Sequence, residues 1–168
     1  MDITLQRRLL LLALGVALAV VLAAGLPKAA SAAPPGSGGP PDAINTSLKT
    51  VGSCDFPVQI DISGKAKTVQ LPGGRTTLVT SPGARATLTN LAEPANQVSY
   101  LITGVYHQTE QTNGDVEVVT TGRALLFDQS FGMFLVAGRY TFTLDEEGSF
   151  VQPPTGTGRM VDVCALLA

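Results

Sequence analysis

Apolar side chains recur at every second position along much of this chain. Phe56, Val58, Ile60 and Ile62 alternate with Pro57, Gln59, Asp61 and Ser63, and Tyr140, Phe142 and Leu144 alternate with Arg139, Thr141 and Thr143. A period of two puts one side of an extended chain in a core and the other in water; a helix would need a period near 3.6. Weaker alternation runs over residues 76–80, 85–91 and 116–121. Residues 98–109 read as one long strand, with Val98, Tyr100, Ile102 and Tyr106 on a shared face and Gly104 at a bulge. The apolar runs 123–127 and 133–136 read as short core strands. Pro72-Gly73-Gly74, Ser81-Pro82-Gly83, Asn113-Gly114 and Glu147-Gly148 separate these runs with turn residues, and Asn113-Gly114 is the strongest hairpin signal. No window carries a convincing helical stripe. The expectation is an all-β fold: an antiparallel β-sandwich of about nine to ten strands, with a small β-barrel as the alternative.

Not all 168 residues belong to that fold. Arg7 and Arg8 precede an unbroken Leu/Ala/Val/Gly stretch over residues 9–26, and Pro27 ends it. Ala30-Ser31-Ala32 then supplies the small residues of a signal-peptidase site, so residues 1–32 read as a signal peptide cut between Ala32 and Ala33. The rival reading is an uncleaved anchor, since the stretch is at the lower edge of what spans a bilayer. The strongly apolar core favours the general secretory route over twin-arginine export. Residues 33–47 open with Ala33 and then Pro, Gly and Ser alone up to Pro41, and read as a disordered linker, because such a stretch buries too little to offset its ordering entropy. The remaining residues 48–168 have the size of one domain.

Cys54 and Cys164 are the chain's two cysteines and bracket that domain. In an oxidising compartment such a pair forms a disulfide, here expected between the first and last strands. Two thiols without neighbouring histidines do not complete a metal site. The closing VDVCALLA is too short for a membrane span and reads as a final strand, with Val161 and Val163 buried. One conflict stands out: alternation puts Cys164 on the face of Asp162, whereas Cys54 shares a face with Phe56.

Chemistry is sparse. His107 is the single histidine, and a nucleophilic triad would have to join it to Ser99 or Ser130 and to Asp128. No Gly-x-Ser-x-Gly elbow is present. Asp145-Glu146-Glu147-Gly148 reads as a solvated turn rather than a calcium loop. Asp128 with Glu117 or Asp115 is the carboxylate pairing that a secreted hydrolase would use. The loop Pro153–Gly158 lacks the lysine of a phosphate-binding loop. No catalytic residue, metal site or cofactor is therefore expected. A net charge of −2 and the absence of tryptophan argue against nucleic acid and anionic membrane as partners.

Threonine is abundant on the expected wet faces, at Thr77, Thr87, Thr89, Thr103, Thr141 and Thr143. Threonine suits strands and keeps an exposed face soluble; it also supplies a flat hydroxyl surface for a glycan or another lattice. Phe131, Met133 and Phe134 are the expected exposed apolar binding patch.

Three short segments carry a resemblance: Cys-Asp-Phe-Pro-Val (54–58), Thr-Leu-Thr-Asn-Leu (87–91) and Gly-Arg-Met-Val-Asp-Val-Cys-Ala-Leu-Leu (158–167). Together they resemble a group of uncharacterised small secreted proteins of high-GC Gram-positive bacteria with a terminal cysteine pair. The resemblance implies export and the cysteine pair, and it implies no activity. The functional expectation is an exported non-catalytic module, binding or structural, with a cell-envelope or extracellular partner and no membrane contact after signal cleavage. The alternatives are the secreted hydrolase, and an inhibitor presenting the loop 151–159.

Overall fold

The computed structural model describes residues 39–168. The expected signal peptide, its cut between Ala32 and Ala33, and the first part of the expected linker lie outside them. The described residues form an all-β fold of nine strands: β1 (Asp42–Thr50), β2 (Val58–Gln70), β3 (Thr76–Thr80), β4 (Arg85–Asn90), β5 (Gln97–Leu101), β6 (Val105–Glu110), β7 (Val116–Asp128), β8 (Gly132–Leu144) and β9 (Phe150–Asp162). A short helix, α1 (Val163–Leu167), ends the chain. All pairings are antiparallel. The strand order is β5-β4-β2-β3-β6-β7-β8-β9, with β1 on β2, and the sheet is open.

The first strand starts earlier than expected. Residues 42–47, read from composition as linker, pair with residues 61–66 of β2. Ile44 and Leu48 supply the reason, since both pack on the core from alternate positions.

β2 belongs to two parts of the sheet. Its residues 58–63 lie between β1 and β4, while residues 67–70 pair with β3. The strand crosses over at Gly64, where φ is 133° and a Cβ would stand 2.6 Å from the Cα of Ala84. The expected long strand over residues 98–109 makes a similar crossing: β5 pairs with β4, β6 pairs with β3 and β7, and Ile102–Gly104 link them. Ser81 Oγ fixes this link by donating to the carbonyls of Ile102 (2.7 Å) or Gly104 (3.0 Å).

The runs 116–121 and 123–127 are one thirteen-residue strand, β7, bent at Gly122; β8 likewise joins 133–136 to 139–144 across Gly138. Gly122, Gly138 and Gly158 are opposite one another in register and all have positive φ. From Ala124 onward on β7, and up to Val136 on β8, the two strands are covered on both faces. Leu125 and Leu135 join Val58, Ile60, Leu88 and Val163 in a first core, while Ala124, Leu126 and Val136 join Val118, Tyr140 and Phe142 in a second. The hairpin curls so far that its tip meets its base: Phe131 lies 5.4 Å from Phe150, and Phe150 lies 5.1 Å from Phe142 between ring centroids.

The tail is helical, not a strand. Asp162 caps it, accepting from the Ala165 N–H at 3.1 Å. Val163 and Leu167, one turn apart, are fully buried. The Leu167 carbonyl accepts from the side-chain amides of Asn90 (2.9 Å) and Asn96 (3.2 Å). The disulfide Cys54–Cys164 is present, with its Cα atoms 5.5 Å apart. It joins the link between β1 and β2 to α1, rather than first strand to last. Helical turning removes the parity conflict, because Cys164 no longer follows Asp162 in a pleat.

Candidate binding face

The sites expected from sequence come out dispersed. Met133 is 0% exposed and sits in the first core, so it takes no part in a surface patch. Phe131 and Phe134 are half-buried against the second core, with their rings 4.7 Å apart. Alternation along β8 sends Met133 and Phe134 to opposite faces, and both faces are covered. The expected inhibitor loop at 151–159 is the body of β9.

Of the groups of a triad, Ser130 meets Asp128 in one turn, while His107 and Ser99 are on other strands. His107 is exposed on β6, opposite Leu78 and Val119. Ser130 donates to Asp128 at 2.5 Å within the β7–β8 turn. Ser99 is on β5, engaged by Thr87 at 3.2 Å and Arg85 at 3.3 Å. The carboxylates expected to pair are engaged with other partners: Asp115 accepts from Asn113 at 2.7 Å in the β6–β7 turn, Glu117 from Gln111 at 3.3 Å, and Asp128 from Ser130. Asp145 accepts from the Ser149 N–H at 2.7 Å and closes a turn. Among the described residues no group of three or more metal-ligating side chains comes together.

What does come together is threonine. The face of β3, β6, β7, β8 and β9 turned away from the second core reads, strand by strand, as three rows. They are Thr76-Thr109-Glu117-Thr143-Gln152, Leu78-His107-Val119-Thr141-Thr155, and Thr80-Val105-Thr121-Arg139-Thr157. Thr76, Thr80, Thr109, Thr121, Thr141, Thr143, Thr155 and Thr157 thus share one open face, each half-buried or exposed. Adjacent positions lie about 4.8 Å apart across strands and about 6.8 Å apart along them, and threonine fills eight of the fifteen positions in the three rows.

The threonines marked from sequence fall in four places. Thr141 and Thr143 are on this face, Thr77 is on its reverse, Thr103 lies in the β5–β6 link, and Thr87 and Thr89 are on the outer side of β4. On that outer side the polar groups are spent on one another. Gln59 donates to Ser47 at 2.6 Å, Ser47 to Asp61 at 2.5 Å, and Gln97 to Thr89 at 2.9 Å. On the threonine face, by contrast, Thr76 and Thr109 are the one hydroxyl pair in contact among the described residues, at 3.4 Å.

The reverse of the same strands is mostly apolar, with Val118, Phe142 and Leu144 buried on it. Tyr106, Thr120 and Tyr140 lie side by side there, and burial pushes the Tyr106 phenol well above its ordinary range. Alternation therefore gives each strand one side to hold the curl together and one side left for water or a ligand. No protein-family model, curated protein or solved structure matches this chain.

Proposed function

We propose that this chain is an exported, non-catalytic binding module, at the cell surface or outside, that docks its threonine face on an extended glycan surface. On this reading the fold is a sandwich, in which β1, β2, β4 and β5 stack on the far ends of β7 and β8 across the first core. The observation that carries the proposal is the single open face holding eight threonines whose hydroxyls are largely unspent. A face rich in hydroxyls can donate to and accept from sugar hydroxyls at many points. The Cys54–Cys164 bond is compatible with an oxidising compartment. No helix among the described residues is long and apolar enough to cross a membrane.

The test is co-sedimentation of the purified protein with insoluble polysaccharides, chitin, cellulose and peptidoglycan, before and after Thr141→Val with Thr155→Val. These two residues are register partners near the middle of the face. Valine keeps the shape and strand preference and removes only the hydroxyl. Binding should fall roughly tenfold on removal of the pair, with an unchanged melting temperature. Binding that survives the double substitution would move the site elsewhere, and release of soluble sugar would overturn the non-catalytic reading.

A further inference from the structure

The threonine face is not uniform. Where it emerges from beneath the first core, each strand places a different side chain: Leu125 is followed outward by Arg123 on β7, Leu135 by Ala137 and Arg139 on β8, and Val161 by Arg159 on β9. Arg123 and Arg159 flank Ala137 in register, and Arg139 is two residues further along the same strand. All three arginines are exposed. Strand geometry puts Arg123 and Arg159 about 10 Å apart at the backbone, with Arg139 about 7–8 Å from each on the diagonal. Their immediate neighbours on the face are Ala137, Thr121 and Thr157, none of them acidic. A chain with net charge −2 has thus gathered three of its guanidinium groups on one stretch of one face.

We propose that Arg123, Arg139 and Arg159 form an anion-binding belt, and that the glycan docked on the threonine face is an acidic polysaccharide. The proposal rests on the binding reading above and adds the class of ligand. Guanidinium groups bind carboxylate, sulfate and phosphate oxygens through paired N–H donors. The flanking hydroxyls of Thr121 and Thr157 suit the sugar between two acidic groups. Nucleic acid is a poorer fit, because its bases need aromatic platforms, and Tyr106 and Tyr140 are on the reverse of the sheet.

The experiment measures affinity for polygalacturonate, heparin, neutral dextran, single-stranded DNA and anionic lipid vesicles in low salt. The wild-type protein should bind polygalacturonate or heparin and should lose affinity as salt rises. Each of Arg123→Gln, Arg139→Gln and Arg159→Gln should weaken binding about two- to fivefold, and the triple variant roughly ten- to hundredfold. A charge-matched triple at Lys65, Arg75 and Arg85 changes net charge equally but lies off the belt. It should bind like wild type. Equal losses in both triples, or no binding to either acidic polysaccharide, would overturn the belt. DNA or vesicles bound as tightly as the acidic glycans would overturn the polysaccharide assignment. If neutral polysaccharides bind through Thr141 and Thr155 while the arginine triple changes nothing, the belt fails and the threonine face stands.

Discussion

Thr120 is fully buried between Tyr106 and Tyr140, and its hydroxyl has no hydrogen-bond partner among the described residues. Desolvating a hydroxyl without a partner costs free energy, and valine fills nearly the same volume without that cost. Thr120→Val should therefore stabilise the protein by about 1 kcal/mol, read as a higher midpoint in urea denaturation. At this scale the sequence was partly legible. Strict alternation located Val58, Ile60 and Ile62, all buried as expected. It misplaced Met133, because Phe131-Gly132-Met133-Phe134-Leu135-Val136 has no polar position to tell a covered face from an open one. The threonines of the candidate face were visible one by one, but their grouping depended on the pairing of five strands. Thr76, Thr80, Thr109, Thr121, Thr155 and Thr157 carried no local mark of it.

The elements that shape the molecule are the long bent strands. At Gly138, φ is 151°, and an added Cβ would run into the carbonyl oxygen of Thr157 and the Cα of Gly158. Relief would require β9 to move away from β8, which would open the bend shared with Gly122 and Gly158. Gly138→Ala should cost about 2–4 kcal/mol in chemical denaturation, combining a disfavoured backbone with a forced displacement. Turn residues announced the breaks between most strands, but glycines inside β7 and β8 looked like further breaks and split each strand in two. The tail was misread for another reason. Five residues are too few to show a period, and α1 exists because Asp162 caps it and the first core accepts Val163 and Leu167. A propensity this weak becomes structure only through tertiary contact.

For the molecule as a whole, the sheet is open and the disulfide spans it, linking residues 110 apart in sequence. In the chain-entropy view a closure this long constrains the unfolded state strongly. Reduction, or Cys54→Ala with Cys164→Ala, should lower stability by roughly 2–5 kcal/mol in urea melts. Intact mass should rise by two hydrogens on reduction, and an unchanged mass would remove the bond from the account. That a bond exists was legible from two cysteines and an export-like start; what it joins was not, because the helix at one end could not be seen. The placement of the bond has a mechanical consequence. A pull applied upstream of Cys54 and downstream of Cys164 is carried along the backbone through the sulfurs, so it cannot unravel β2 to β9 from their ends. Only β1 and the last residues of α1 can peel away under such a pull, so tension between the two ends of the chain would leave the threonine face intact.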